Sequence, residues 1–280
     1  MPAEATPKRR GRGPLLLTLL GAALVLMPFL FWQQTWFGRK LSDREIDEYL
    51  RDKEHARKGQ HALSQIADRL IAGDTTVRRW YPQIVELSRH RDPIVRSTAV
   101  WVMGQDESSP LFHQALLDTL KDSELMVRRN AALALVRFRD PAGHAELLAM
   151  LAPYEVRIPR SGTLSLRAHA GHSVGLGSVL ARVRTDREGE VEIRAPYAGR
   201  VDRVFEAEGA RVEAGERLAA LGPQADQVWE ALRGLLLVGE PDDVGPVECY
   251  ERGGVSEKIR EQAVLTAAAI RTRSERNPSR

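Results

Sequence analysis

Apolar and polar residues follow three different patterns along the chain, and each pattern predicts a different kind of structure. Residues 14–32 contain no charged residue. Over residues 59–153, and again over 224–273, apolar residues recur with the helical period of about 3.6. Between these two tracts, over residues 155–222, apolar and polar residues alternate in short runs that end at glycine. We therefore expect α-helices on both sides of a small all-β domain.

The charge-free segment has the composition of a membrane-spanning helix. Pro14 to Trp32 would extend about 28 Å as a helix, close to the hydrocarbon thickness of a bilayer. Lysine and arginine are concentrated before it, so the positive-inside rule predicts a cytoplasmic basic tail over residues 1–13. The sequence predicts a single-pass anchor over residues 14–37 in the cell (inner) membrane, with residues from about 38 onward extracytoplasmic (periplasmic). A cleaved signal peptide is the less favoured alternative, because bulky residues end the segment.

A highly charged helix is expected next, over residues 41–58. Ser42 and Glu45 have the spacing of a capping box, and Leu41 and Ile46 that of a hydrophobic staple. Because the stretch carries many charged residues, we interpret it as a solvated stalk that lifts the folded part away from the membrane.

An internal repeat lies in the helical tracts. A Val-Arg pair and an alanine recur 32 positions later in the first tract, each time after an aspartate, and a third copy begins at Ile259. The residues assigned to the repeat are Asp92, Val95, Arg96 and Ala99; Asp122, Val127, Arg128 and Ala131; and Ile259, Arg260 and Ala263. This spacing predicts stacked antiparallel helix pairs, in which the alanine permits close approach and the aspartate caps the following helix.

These residues resemble the short HEAT-like repeats of phycobilisome-lyase-type and other bacterial proteins. The resemblance covers about residues 60–152 and 224–273, and it implies that the arginine after the valine contacts the loop of the adjacent repeat. We expect this structural role for all three arginines, with contact to a ligand as the alternative. An earlier pair, at about residues 60–71 and 75–89, matches weakly and is expected to cap the solenoid.

The sequence of the β region is duplicated. Residues 156–183 and 191–221 share prolines, glycines and aliphatic residues at an offset of 37 or 38 positions. One half opens with Ile-Pro-Arg-Ser-Gly and the other with Ala-Pro-Tyr-Ala-Gly. The duplication resembles the biotinyl/lipoyl barrel-sandwich hybrid, and the part from Ala195 to Leu218 is the more similar. The resemblance covers roughly residues 156–222 and implies a small all-β domain with pseudo-twofold symmetry.

No lysine lies between Glu155 and Pro223. In the carrier members of this family, a lysine on the central hairpin takes biotin or lipoate, and Arg187 stands near that position here. A guanidinium stays protonated and cannot form the amide, so no cofactor is expected. The resemblance implies an unmodified member, as in the membrane fusion (adaptor) proteins of efflux and secretion systems. Those adaptors carry a long helical hairpin where this chain has the tight turn 183–190.

The β domain is expected to interrupt one helical repeat. Residues 141–152 have the pattern of the first helix of a repeat and residues 228–238 that of a second helix. Such an insertion is tolerated where the two ends of the inserted domain lie close together. The expected fold is multi-domain α + β: a transmembrane helix and an α-solenoid interrupted by a barrel-sandwich hybrid of residues 155–222. Residues 274–280 are expected to form a disordered tail.

Candidate chemistry is sparse. The net charge is +3 and the densest basic cluster lies in the N-terminal tail, so nucleic-acid binding is not indicated. A single cysteine, Cys249, excludes an internal disulfide. His169 and His172 form an H-x-x-H pair in a predicted loop, without a third ligand beside them, so they are weak metal candidates and no metal is expected. No phosphate loop, nucleophile elbow or paired-carboxylate motif appears, and no catalytic residue is assigned.

Other side chains are expected to be structural. His113 and His144 fall on repeat helices and are interpreted as surface or groove residues. The aromatic residues at apolar helical positions are expected in the core, with an exposed anchor for a partner as the alternative. They are Trp80, Tyr81, Trp101 and Trp229.

The favoured function is a non-catalytic, membrane-anchored scaffold that mediates protein-protein interaction in the cell envelope. Its binding elements would be the HEAT-like repeats and the unmodified β domain. The first alternative is a periplasmic adaptor (membrane fusion) component of an efflux or secretion system, suggested by the β domain alone. A lyase-type HEAT-repeat enzyme is the second alternative, and no residue of the chain supplies its chemistry.

Overall fold

A computed structural model of the chain describes residues 39–185, 189–252 and 254–276. The predicted anchor at 14–37 lies outside these residues, as does Arg187. Within the described ranges, none of the helices combines the length and the apolar character needed to cross a membrane.

The described part of the chain contains ten α-helices arranged as five antiparallel pairs. The pairs are α1 (Asp43–Arg51) with α2 (Ala56–Ile71), α3 (Tyr81–Leu87) with α4 (Pro93–Met103), α5 (Pro110–Thr119) with α6 (Leu125–Arg137), α7 (His144–Ala149) with α8 (Ala225–Val238), and α9 (Val244–Arg252) with α10 (Glu257–Arg276). Short 3-10 helices precede α3, α7 and α9, at Thr75–Trp80, Pro141–Gly143 and Pro241–Asp243.

The second helix of each pair packs against the second helix of the next pair, so α2, α4, α6, α8 and α10 form one continuous layer. The predicted repeat positions supply its buried contacts. The buried residues are Val95 and Ala99 on α4, Val127 and Ala131 on α6, and Ile259 and Ala263 on α10. The alanines let neighbouring helices approach closely, which explains why that position is small in each copy.

The two repeat aspartates act differently at the turn before the second helix. Asp92 is the N-cap of α4, and its side chain accepts a hydrogen bond from the Ile94 amide at 2.9 Å. Asp122 is not a cap, because the N-cap of α6 is Glu124; its carboxylate instead accepts from the Glu124 amide at 2.8 Å. The expected capping role therefore holds for Asp92, whereas Asp122 stabilises the turn.

The expectation of a solvated stalk over residues 41–58 is wrong. Helix α1 ends at Arg51 and packs against α2 and α3 as the first helix of the first pair. Although α1 is mostly charged, Ile46 and Leu50 lie one turn apart and are both buried in the core of the first pairs. These apolar contacts attach α1 to the solenoid together with polar ones, the hydrogen bond from Trp80 Nε1 to Asp47 at 2.6 Å and the ion pair of Arg69 with Asp43 at 2.7 Å.

Two further boundaries differ from the sequence prediction. The helices expected to form a capping pair, at 60–71 and 75–89, belong to consecutive pairs, because α2 pairs with α1. The predicted disordered tail at 274–280 begins inside a helix, since α10 continues to Arg276. The predicted capping box of Ser42 and Glu45 is present.

The inserted domain consists of two four-stranded antiparallel sheets. The strands are β1 (Tyr154–Arg157), β2 (Gly162–Leu166), β3 (Ser173–Val174), β4 (Val179–Thr185), β5 (Gly189–Arg194), β6 (Gly199–Val204), β7 (Arg211–Val212) and β8 (Arg217–Gly222). One sheet has the order β1-β8-β6-β3 and the other β5-β4-β2-β7. We call this domain the sandwich; its core holds buried aliphatic residues of both sheets together with Tyr197.

The first and last strands of the sandwich pair with each other, and Tyr154 lies opposite Leu221. The chain therefore leaves the helical array after α7 and returns to it before α8 at neighbouring positions. A third hydrophobic core joins the two sides of the insertion, with Leu147 of α7 and Leu232 of α8 among its members. The Tyr250 hydroxyl donates a hydrogen bond to the Leu151 carbonyl at 2.6 Å, which ties α9 to the chain just before the sandwich.

Because the helices alternate in direction, the turns between them lie on two opposite edges of the solenoid. We call one of them the proximal edge; it holds the turns 72–74, 104–109, 138–140 and 239–240. Residue 39 lies on the same edge, because Asp43 at the start of α1 forms an ion pair with Arg69 at the end of α2 at 2.7 Å. The distal edge holds the sandwich. Helix α6 runs from the distal to the proximal edge and, with thirteen residues, is about 20 Å long.

Candidate interaction site

The arginine after the repeat valine links each helix pair to the next. On α4, Arg96 donates from Nε and Nη2 to both carboxylate oxygens of Asp122, at 2.7 and 2.8 Å. Its Nη1 donates to the His90 carbonyl at 2.9 Å, which fixes the turn before its own helix. Burial opposes ionisation of Asp122, but the hydrogen bonds from Arg96 and from the Glu124 amide outweigh it and hold the pKa of Asp122 below its usual range.

Arg128 repeats this arrangement one pair further on. Its Nε donates to Glu146 at 2.8 Å, and its Nη1 donates to the Asp122 carbonyl at 2.7 Å. Arg260, at the same position of the last described pair, is exposed and makes no side-chain hydrogen bond or ion pair with the residues that the structure describes. The expected contact with the loop of an adjacent repeat is therefore present for Arg96 and Arg128, whereas among the described residues it is wrong for Arg260.

A second row of contacts, which the sequence analysis missed, joins the first helices to the turns of the following pairs. Tyr81 donates its hydroxyl proton to Asp106 at 2.6 Å. Burial, and then the Asp106 carboxylate, raise the pKa of Tyr81 to about 12. His113 Nε2 donates to Asp140 at 2.6 Å in the same way. Tyr81 and His113 occupy equivalent positions in successive pairs, and each is followed by an aspartate in the next turn. This pattern is visible in the sequence and could have revealed the row of contacts.

The same row continues across the sandwich. His144 Nε2 donates to the buried Asp243 at 2.6 Å, although the whole sandwich lies between these residues in the chain. Asp243 also accepts from the Glu240 amide at 2.6 Å and so orders the turn before α9. His113 and His144 are therefore structural contacts between pairs rather than free groove residues, and the solenoid is one array on both sides of the insertion.

The sandwich is packed onto the start of helix α6. Leu125 belongs to the core of the sandwich, and Met126 packs against it. One turn further along α6, Arg129 is 1% exposed, and its guanidinium lies 4.9 Å from the ring centre of Tyr197. Tyr197 belongs to the Ala-Pro-Tyr-Ala-Gly segment and donates its hydroxyl proton to the Leu221 carbonyl at 2.9 Å.

Arg129 carries a charge in an environment with little to compensate it. Burial lowers the pKa of Arg129 below its usual value. Its Nη1 donates to Gln227 of α8, whereas Nε and Nη2 have no hydrogen-bond partner among the described residues. The face of the Tyr197 ring supplies a cation–π contact instead. Arg129 thus joins α6, α8 and the sandwich at one point, a role that nothing in its sequence context indicates.

The hairpin that would carry a modified lysine is short. Strands β4 and β5 pair from Val179 to Thr185, and the last pair is Thr185 with Gly189. Arg182 and Glu192 form a cross-strand ion pair at 3.0 Å below the turn. The three residues between the last pair, which include Arg187, lie outside the described part of the chain.

The weak metal candidates lie together but without further ligands. The His169 and His172 rings meet edge to face with centres 5.4 Å apart, in the exposed loop between β2 and β3. The described residues contain no group of three or more histidine, cysteine, aspartate or glutamate side chains able to hold a metal ion.

The aromatic residues divide between core and surface. Trp80 and Tyr81 are buried, as expected. Trp229 is half-buried, with Lys258 Nζ 3.6 Å from its ring centre. Trp101 is 45% exposed, so the expectation that it lies in the core is wrong. It shares one face of α4 with Ile94, which is also exposed, seven residues earlier.

Comparisons with known proteins agree with both resemblances. Residues 61–166 match the family model for HEAT repeats, and residues 149–221 match the family model described as biotin-requiring enzyme. No curated protein gives a significant match to the chain. The chain thus contains a HEAT-repeat region and a biotin/lipoyl-type domain, and these two elements support a protein-interaction scaffold.

Proposed function

We propose that this chain is a non-catalytic scaffold of the cell envelope. Residues 14–37 would anchor it in the membrane and residues from about 38 onward would be extracytoplasmic. The HEAT-like repeats and the unmodified sandwich would together bind a protein partner. The observation that carries this proposal is the fixed sandwich, which is inserted within a helix pair and held to α6 through Arg129 and Tyr197.

A sandwich that is held against the solenoid is suited to presenting a binding surface rather than to carrying a cofactor between sites. A carrier domain must bring its cofactor to successive sites, whereas here both ends of the domain pair with each other and one face packs on α6. The lysine needed for biotin or lipoate is also missing between Glu155 and Pro223. The domain is therefore proposed to contribute a rigid protein surface.

The architecture would present that surface away from the membrane. The chain enters the solenoid at residue 39 on the proximal edge, and the sandwich occupies the distal edge about 20 Å away, the length of α6. A partner approaching the distal edge would meet the sandwich without competing with the lipid surface.

The exposed face of α4 is proposed as the part of the solenoid that contacts the partner. Trp101 and Ile94 are large apolar residues on one helix face, and tryptophan is among the residues that contribute most to binding at protein interfaces. Helix α4 precedes α6 in the layer of second helices, so this face lies one pair away from the sandwich.

A scaffold is favoured over a membrane fusion adaptor. Those adaptors resemble this sandwich, but they extend the central hairpin into a long helical element. Here Thr185 pairs with Gly189, and three residues connect them. That connection is too short for a tunnel-forming hairpin.

The binding proposal is tested by cross-linking the full chain to its neighbours in native membranes and comparing variants. Trp101→Glu should abolish the cross-linked partner, whereas Leu111→Glu, which places the same charge at an equally exposed apolar position on α5, should retain it. Replacement of residues 155–221 by a short Gly-Ser linker should also lose the partner. If both changes leave the cross-linked species unaltered, the proposed binding surface is refuted.

The proposed topology has its own test. Reporter domains that are active only outside the cytoplasm, fused after residue 40, should be active. Fusions of a reporter active only in the cytoplasm should fail at the same point. The reverse result would overturn the extracytoplasmic placement and leave the binding test unaffected.

A further inference from the structure

Arg139 has an unusual backbone conformation. It is the one non-glycine residue with a positive φ, 57°, among the residues that the structure describes. It closes α6 in a Schellman motif, in which the Asp140 amide donates to the Leu135 carbonyl at 3.1 Å and the Arg139 amide to the Val136 carbonyl at 2.9 Å.

Glycine occupies the corresponding position at the end of α2. Gly73 has a φ of 81°, and the following amide again closes a Schellman motif. Glycine is favoured there because it lacks the Cβ that crowds a left-handed residue. The left-handed backbone at position 139 therefore favours glycine over arginine.

The Arg139 side chain lines a surface cavity of about 360 Å³ on the proximal edge. Arg139 is exposed and forms no side-chain hydrogen bond or ion pair with the described residues. Across the cavity, the Arg273 guanidinium is held in place by the carbonyls of Leu236 and Gly239, each at 2.7 Å. The cavity thus combines one fixed cation with one that has no partner in the part of the chain that the structure describes.

The remaining wall is largely apolar. Leu237 lines the cavity and is 47% exposed at the end of α8. The lining has one acidic residue, Glu240, whose amide donates to the Asp243 carboxylate at 2.6 Å and whose backbone carbonyl accepts from the Asp243 amide at 3.0 Å. With Arg139 and Arg273, the lining therefore has a net positive charge. A ligand that fits this site carries a negative charge beside an apolar part.

The position of the cavity identifies the source of such a ligand. It lies on the edge of the solenoid that also holds residue 39, from which the chain continues toward the charge-free segment 14–32. Ile71, at the end of α2 on the same edge, is exposed as well. Exposed apolar residues beside arginines are suited to the interface between lipid headgroups and acyl chains.

We propose that the cavity lined by Arg139 and Arg273 binds the phosphate of an anionic phospholipid, with Leu237 against the acyl region. Guanidinium groups bind phosphate through paired, charge-assisted hydrogen bonds. The inference rests on the proposed membrane anchoring and adds that the solenoid lies with its proximal edge on the bilayer surface.

The test uses the full chain in neutral detergent and measures the rise in its unfolding temperature on adding phosphatidylglycerol. Arg139→Gly should raise the half-saturating lipid concentration about tenfold or more, the loss expected for a charged hydrogen-bonding partner. Without lipid, the same variant should unfold at an equal or higher temperature, because glycine suits the left-handed backbone. Arg137→Gln, which removes an exposed charge two residues away outside the cavity, should respond to lipid as the unchanged chain does.

Three results would overturn the proposal. They are a lipid response of Arg139→Gly equal to that of the unchanged chain, an equal response to phosphatidylcholine, and saturation of the site by inorganic phosphate alone, which would indicate a site for a free anion. Release of the full chain from membranes by salt without detergent would instead refute the anchoring in the proposed function. An anchored chain whose Arg139→Gly variant binds lipid normally would refute the lipid site alone.

Discussion

Removal of the Arg96 side chain should destabilise the solenoid locally. Arg96 and Asp122 have side chains that are 12% and 10% exposed, and they share two hydrogen bonds of 2.7 and 2.8 Å. Arg96→Ala leaves the Asp122 carboxylate without its cation. It also removes the hydrogen bond that Arg96 donates to the His90 carbonyl. Breaking a buried ion pair by removing one partner costs about 3–5 kcal/mol, and the remaining exposure of this pair places the expected loss near the lower limit, about 3 kcal/mol.

The chain supplies a matched control at the same repeat position. Arg260 follows the repeat residue Ile259 as Arg96 follows Val95, but it is exposed and has no described acidic partner. Arg260→Ala should therefore change the free energy of unfolding by less than about 0.5 kcal/mol. The comparison distinguishes the effect of losing the ion pair from the effect of removing an arginine from a helix.

Hydrogen exchange measured by mass spectrometry suits this test, because a chain with helices and a sandwich need not unfold in one step. Amides of α4 and α6 should exchange through an opening reaction whose free energy is about 3 kcal/mol lower in Arg96→Ala than in the unchanged chain. Amides of the sandwich strands should be nearly unchanged. Equal protection of α4 in the Arg96→Ala and Arg260→Ala variants would refute the view that the arginine row holds adjacent pairs together.

Three further outcomes are expected. Gly143→Ala should cost about 1–3 kcal/mol in thermal unfolding, because its Cβ would lie 2.6 Å from the Ala132 Cα. Gly254→Ala, where no atom of a non-neighbouring residue lies within 4 Å, should change the unfolding free energy by less than about 0.5 kcal/mol. Equal effects of the two substitutions would contradict the close packing of the 3-10 helix Pro141–Gly143 against α6. The lowered pKa of Asp122 contributes stability above the unfolded pKa of about 3.9, and this contribution should disappear as the pH falls through the lower folded pKa. Acid titration of unfolding with and without Arg96→Ala checks it, and identical pH dependence in the two proteins would count against the assignment. Intact-mass spectrometry of the natively expressed chain should show no biotin or lipoyl adduct, and finding one would refute the unmodified sandwich.

The repeat and the duplication allowed much of the fold to be predicted. Val95 and Val127 recur in sequence because they occupy the same place in successive helix pairs, and the two halves of the sandwich recur for the same reason. Patterns of this kind report local structure and symmetry directly. The family matches to residues 61–166 and 149–221 agree with both.

Contacts between distant segments were harder to predict. The high charge content of α1 suggested a solvated helix. Charge content alone does not show that Ile46 and Leu50 pack against the next helices. Trp101 has a helical apolar position, but periodicity cannot tell whether a second element covers that face. Arg129 meets Tyr197 only because the sandwich folds back onto α6, and no local pattern marks either residue for that contact.

The central claim is that the sandwich is a fixed part of the solenoid rather than a mobile carrier. The most direct test is the distance distribution between two spin labels, one on the exposed native Cys249 of α9 and one on Leu176→Cys, an exposed position at a turn of the sandwich. Pulsed electron spin resonance on the full chain should give a single narrow distance. A broad distribution, as expected for a domain that moves on a tether, would contradict the account.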